Sequence, residues 1–125
     1  MPRYDAVQFD PPAPVAQAQL RNPQQPNRVA SALMLIDSGA DVTLVPLATV
    51  TEIGLSTNVE QGYELSGFDG QESFAFPVAL ELTFSGRIFR GQFLVLDHPT
   101  GIIGRNLLNL LRVTLDGPRL EWTLV

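Results

Sequence analysis

The stretch Ala32-Leu33-Met34-Leu35-Ile36-Asp37-Ser38-Gly39-Ala40-Asp41 decides how the rest of the chain is read. Five apolar residues in a row suit a strand covered on both faces. That strand ends on a carboxylate, and a glycine two residues later marks a tight loop. A carboxylate delivered by a buried strand is costly unless it is used. Hydrolysis by paired acids needs two carboxylates, and one such chain offers one. The mismatch points to a symmetric dimer with its site across the two-fold axis.

Composition narrows the remaining choices. A chain of 125 residues, 45% apolar, forms one domain with a real core. The net charge is −5 and the basic residues are scattered, which speaks against a nucleic-acid partner. There is no cysteine, so disulfides and thiolate metal sites are excluded, and the single histidine, His98, excludes a multi-histidine centre. No metal and no cofactor are expected. No G-x-S-x-G accompanies His98, so a serine-nucleophile triad is disfavoured, and His98 reads as a loop residue. No apolar run is long enough for a bilayer, and Met1-Pro2-Arg3-Tyr4-Asp5 lacks the apolar stretch of a secretory signal. A cytoplasmic protein without membrane partners is the expectation.

Outward from the Asp loop, the chain divides into a Pro-rich arm, 1–14, read as a tail outside the core, and a domain, 15–125. Val15 to Leu20 alternates as a first strand, Arg21 to Arg28 holds Pro23 and Pro26 and reads as a turn, and Val29 to Ile36 returns. After a short β-type run, Val42-Thr43-Leu44-Val45, Pro46 opens a short helix, Leu47 to Ile53, that Gly54 ends. Asp69-Gly70 lies between two β-type runs, Tyr63 to Ser66 and Gln71 to Phe76, and signals a hairpin. Phe74 to Phe84 alternates apolar residues at even positions, and Phe89 to Leu96 follows as a partner strand after Ser85-Gly86. Arg105 to Leu111 is a second helix candidate through Leu107, Leu108 and Leu111. Val113 to Leu115 and Leu120 to Val125 form a closing hairpin around Asp116-Gly117-Pro118, with Trp122 in the core or a dimer contact. The sum is a mainly β, closed or barrel-like domain of seven to nine strands and two short helices.

Three elements, in this order, resemble the retropepsins, the retroviral-type aspartic proteases. They are Leu35-Ile36-Asp37-Ser38-Gly39-Ala40, a hairpin spanning Leu65 to Gln71, and Ile102-Ile103-Gly104-Arg105-Asn106-Leu107-Leu108. The short helix after Pro46 and the tail after Leu111 look more like cellular or bacterial members than minimal viral ones. The resemblance implies one half-barrel lobe per chain, a flap hairpin over residues 63–76, and a homodimer acting on peptide or protein substrates. It implies that Asp37, one from each subunit, activates a water, that Ser38 ties the two loops across the axis, and that Gly39 lets the substrate backbone approach. It also implies substrate contacts from Ala40, Asp41, Val42, Gly67, Phe68, Ile102 and Ile103, an Asp41–Arg105 pair, and support from Gly104 and Arg105. Two other readings remain: a non-catalytic dimeric peptide-binding or dimerisation module on the same fold, and a β-barrel carrier of small molecules, which leaves both motifs unexplained.

Overall fold

A computed structural model describes residues 2–56, 63–66 and 72–124. Its strands, in chain order, are β1 (Tyr4–Asp5), β2 (Ala13–Asn22), β3 (Gln25–Ile36), β4 (Leu44–Pro46), β5 (Tyr63–Ser66), β6 (Glu72–Phe84), β7 (Arg87–Leu96), β8 (Gly101–Ile103), β9 (Val113–Asp116) and β10 (Glu121–Leu124). Two short helices interrupt them, α1 (Leu47–Glu52) and α2 (Arg105–Leu108). The main sheet runs β1-β2-β3-β8-β4-β7-β6-β5, and a further pairing of β2 with β6 closes its six inner strands into a ring. A ring removes the free edges that an open sheet would present.

Period-two patterning fills the ring. In β2 the buried residues are Ala16, Ala18 and Leu20; in β6 they include Val78, Leu80, Leu82 and Phe84; β3 adds Ala30, Ala32, Met34 and Ile36. The five-residue apolar run of β3 is covered on one face only within the chain. Leu33 and Leu35, on the other face, are half-buried. At the ring's closing seam Glu81 lies between Arg90, at 2.9 Å, and Arg21, at 3.6 Å, bridging β7, β6 and β2. The two arginines are exposed, so these pairs guide register more than they stabilise.

The turn after β2 is tighter than the proline content suggests. The chain reverses at Pro23-Gln24, and Pro26 lies inside β3, where the register slips between Arg21 and Asn22. A bulge tolerates a residue with no N–H to give to a ladder. Asn22 organises the reversal: its Oδ1 accepts from the N–H groups of Gln24 and Gln25, while Nδ2 donates to the Ile53 carbonyl at 2.9 Å. Helix α1 starts at Pro46 and ends in a Schellman motif. Gly54 sits at φ +79°, its N–H reaches Thr51 O, and Leu55 N–H reaches Val50 O. Helix α2 is shorter than the Arg105 to Leu111 candidate. Beyond Leu108 the chain continues in i→i+3 turns, with Leu107 buried and Leu110 exposed.

The N-terminal residues are built into the fold. Tyr4 pairs with Pro14 and packs on the core, its N–H reaches Leu120 O, and the Trp122 N–H reaches Pro2 O. Trp122 is buried beneath this arm and gives its indole N–H to Val15 O at 2.8 Å. The hairpin expected around Asp69-Gly70 has its legs in place, β5 against β6 with Ser66 opposite Glu72; its tip, with Gly67 and Phe68, lies outside the described residues.

Replacing Asn22 with Ala strips the reversal of two acceptor bonds and leaves the buried Ile53 carbonyl without its donor. Urea unfolding is expected to show a loss of roughly 2 kcal/mol; a change below about 0.5 kcal/mol would mean the turn holds without its side chain.

Candidate active site

Asp37 stands where β3 hands the chain to a loop that must reach β4. The strands β3 and β4 are neighbours in sequence yet are not adjacent in the sheet, because β8 runs between them. It is parallel to β3, with Leu35 opposite Ile102 and Ile36 opposite Ile103, and antiparallel to β4. The loop from Asp37 to Thr43 therefore arches over the end of β8.

Backbone bonds pin that arch at its start and in its middle. The Asp37 N–H donates to Ile103 O at 3.1 Å, and the Arg105 N–H donates to Ala40 O at 2.8 Å. Between them Gly104 lies against the loop so closely that a Cβ there would collide with the Val42 carbonyl and lie 3.0 Å from Ala40 O. The neighbouring Gly101 is equally confined, with Leu44 O 2.7 Å from where its Cβ would be and Met34 Sδ nearer still. Both glycines are therefore required by close approach of backbone, not by a positive φ.

The carboxylate of Asp37 is half-buried and partly committed. Its Oδ1 accepts from the Gly39 N–H at 2.9 Å, which closes the tight turn. Among the described residues Oδ2 takes no hydrogen bond, so one oxygen is left to face whatever approaches the loop. Ser38 and Gly39 are exposed at the tip, beside an open apolar groove of about 250 Å³ lined by Ile36, Ser38, Leu108, Leu111, Val113 and Leu115. Ala40 and Val42 are half-buried along the arch, and Asp41 projects into solvent.

Several expected roles fall out differently. Arg105 does not pair with Asp41; its guanidinium donates to Ser38 O at 2.8 Å and clamps the turn directly. Ile103 is fully buried in the core, because adjacent strand residues face opposite ways, and only its carbonyl serves the loop. Ile102, on the other face, is half-buried and looks out beside Leu35. His98 is held in its own turn, with Nδ1 3.0 Å from Thr100 O and 3.1 Å from Thr100 N.

Thr43 is a residue that the sequence reading left without a role. It is buried, its Oγ1 accepts from the Gly104 N–H at 3.1 Å, and its hydroxyl donates to Asn106 Oδ1 at 2.7 Å. One hydroxyl thus joins the far end of the Asp loop to Gly104, just past β8, and to α2. Its place in a β-type run, Val42 to Val45, disguised it as an ordinary strand threonine. No cluster of three or more His, Asp or Glu residues among the described residues could hold a metal ion. No helix among them is long and apolar enough to cross a membrane.

This architecture has a counterpart of known structure. The EIAV protease, solved in complex with the inhibitor HBY-793, superposes with a TM-score of 0.56 over 78% of this chain and 86% of its own, at 24% sequence identity. The fold is retropepsin-like. No protein-family model matches the sequence, and no curated protein matches it.

Exchanging Thr43 for Val keeps the shape but removes the hydroxyl that joins the loop to Gly104 and α2. Stability is expected to fall by about 1–3 kcal/mol, with Thr43→Ser close to wild type in the same thermal melts. Equal melting of Thr43→Val and wild type would show that the hydroxyl is dispensable.

Proposed function

We propose that the chain is an aspartic endopeptidase that works as a homodimer, with the two Asp37 carboxylates facing each other across the two-fold axis. The observation that carries this reading is the half-buried Asp37 with one carboxylate oxygen uncommitted among the described residues, at the start of an arch tied to β8 and to Arg105 by hydrogen bonds. Among the described residues, no hydrogen bond joins the Asp37 carboxylate to a second acid with which it could share a proton. A second copy supplies one.

The chemistry follows from charge. Two carboxylates about 3 Å apart cannot both ionise easily and so hold one proton between them. The ionised oxygen takes a proton from a water, which attacks the scissile carbonyl. The protonated partner donates to the carbonyl oxygen as it gains charge, and the roles reverse as the tetrahedral intermediate expels the amine. The oxygen bonded by Gly39 N–H is oriented by the turn, leaving the other to meet the water.

A dimer reading also accounts for the surface around the site. Ser38 lies at the rim of an apolar groove with Leu108, Leu111, Val113 and Leu115, and Leu110 and Leu115 are exposed at 68% and 54%. Apolar surface concentrated beside a two-fold axis is what an isologous interface buries. Ser38 then bonds across the axis, Ala40, Asp41 and Val42 border an extended peptide, and the 63–76 hairpin covers it, pairing with its backbone as a strand would. That the neighbour of known structure is a protease bound to an inhibitor supports the same reading. A non-catalytic dimeric peptide-binding module is the competing reading; it leaves the oriented carboxylate without a purpose.

An unfolded protein substrate incubated across pH ~3.5 to ~7, where shared-proton carboxylates titrate, is expected to be cleaved by wild type and left intact by Asp37→Asn. Both proteins should be folded dimers by ultracentrifugation. Intact substrate with wild-type dimer throughout that range would favour the binding module. Specific activity is also expected to fall on dilution through the dimer dissociation range; constant activity there would contradict a site shared between subunits.

A further inference from the structure

The edge of β2 that faces away from β3 carries a gap. The arm covers its first residues, with Tyr4 opposite Pro14 and Asp5 opposite Ala13, and β6 covers it only from Gln19 onward, with Gln19 opposite Thr83. β6 does not continue toward Gln17, because the chain turns at Ser85-Gly86, with φ +48° and +75°. Among the described residues, 15–18 therefore have no strand beside them on that edge. An open groove of about 400 Å³ lies there, larger than the one beside Ser38 and within the size range of ligand sites. It shares no lining residue with that groove, nor with a smaller pocket that Phe9 and Leu35 line on the outer face of β3.

Backbone parity decides what the gap offers. The N–H and C=O of one strand residue point to the same side, and successive residues alternate. Trp122 donates its indole N–H to Val15 O at 2.8 Å, so Val15 faces the gap, and Gln17, two residues on, faces it too. β3 gives the same parity independently. Asp37 N–H reaches Ile103 O, so Leu35 and Leu33 turn their backbone toward β8, and Gln17, opposite Leu33, is not bonded to it. Among the described residues no bond meets the Gln17 N–H or C=O. A free donor and a free acceptor of one residue thus look into the groove.

The walls complete its character. Val15 and Leu33 line it half-buried, and Trp122, 1% exposed, lies at its floor. Arg3 is the one charged residue among those lining it, with a side chain 70% exposed. Its contact to Glu121, at 3.8 Å, is longer than a hydrogen bond, so guanidinium donors remain for an incoming acceptor. The arm that carries Arg3 is held on both sides of it. Trp122 N–H reaches Pro2 O, and the Asp5 carboxylate fixes the following loop by accepting from Val7 N–H, at 2.8 Å, and Gln8 N–H, at 2.9 Å.

We propose that this groove is a second peptide-binding site, separate from the Asp37 arch, and that it takes an extended acidic segment. One residue of the segment exchanges both backbone bonds with Gln17, apolar flanking side chains cover Val15 and Leu33, and a carboxylate meets Arg3. A peptide residue carries a donor and an acceptor, so it satisfies both Gln17 groups as a strand would. A lipid-like carboxylate brings acceptors only and would leave the Gln17 C=O unpaired. Charge sets the acidic preference, since a basic segment would place like charge beside Arg3. The assignment does not rest on the endopeptidase reading, because nothing in it involves Asp37.

The test is an NMR titration of nitrogen-labelled wild type, Arg3→Glu, Gln17→Pro and Arg112→Glu with acetyl-Val-Glu-Val-amide, acetyl-Val-Lys-Val-amide and dodecanoate. In wild type the Glu peptide should shift the Gln17 amide and Trp122 indole resonances and slow exchange of the Gln17 amide. The Lys peptide should bind roughly ten-fold more weakly, the scale of one charge-assisted hydrogen bond. Arg3→Glu should invert that order. Gln17→Pro removes the donor on an edge where no ladder bond is lost and should weaken the Glu peptide about five-fold. Arg112→Glu, the same charge change at an exposed position outside the groove, should bind like wild type. No shift at Gln17 or Trp122 with either peptide would overturn the site, and an order unchanged in Arg3→Glu would overturn its acidic preference. Dodecanoate binding tighter than the Glu peptide, and indifferent to Gln17→Pro, would replace the peptide with a lipid-like acid. A Gln17 amide protected in the free protein, and exposed on dilution, would assign the gap to a second copy instead. If Arg3→Glu frees the arm, seen as loss of Tyr4 amide protection, Arg3→Gln is read in its place and should lose the preference for Glu over Lys.

Discussion

The fold is organised by the meeting of two backbone segments, the Asp37–Thr43 arch and the Ile103-Gly104-Arg105 turn beneath it. Asp37 N–H and Arg105 N–H donate across the contact in opposite directions, to Ile103 O and Ala40 O. A glycine is required where they touch, and Thr43 fastens the far end. β8 lies between β3 and β4 in the sheet, so the ring and the site share this contact. A barrel closed in another order would hold the same apolar residues inside and yet leave Asp37 on an unsupported loop.

The sequence showed some of this and concealed the rest for identifiable reasons. Long alternating segments were legible because period two repeats often enough to be counted: Val78, Leu80, Leu82 and Phe84 are buried as their spacing requires. Gly54 announced the end of α1, and Asp69-Gly70 lies between strands that do pair. What failed were features shorter than a period or set by distant partners. β8 has three residues, too few to show alternation, so Ile102 and Ile103 looked equivalent although one faces out and the other is sealed in. Pro26 read as turn because the bulge that admits it is a property of the pairing with β2. The arm read as a tail because its Pro2 and Tyr4 are held by Trp122 and Leu120, more than a hundred residues away.

The candidate site divides in the same way. The Asp-Ser-Gly and Gly-Arg-Asn segments were visible because each is local, but the bonds between them are not. The family resemblance implied a pair between Arg105 and Asp41. Arg105 instead donates to Ser38 O. The preference has a physical basis: Asp41 is exposed, so a pair with it would gain little over water, whereas the Ser38 carbonyl fixes the turn that orients the carboxylate. Arg105 acts on the site through geometry, not through the charge of a partner.

A ring of six strands satisfies its own interior, and this leaves the outer face of β3 as the informative surface. Leu33, Leu35 and Asp37 share that face, half-buried, while Met34 and Ile36 complete the core. Apolar residues on the outside of a strand that ends in a carboxylate are hard to explain by stability, since the ring is filled without them. They are accounted for if that face is where another polypeptide lies. The arm belongs to the same account. By wrapping over Trp122 and returning through the Asp5-held loop, it ties down the closing hairpin and brings Phe9 to a pocket that Leu35 also lines. One segment thereby joins the closing hairpin to the apolar pocket on the outer face of β3, although it lies outside both motifs.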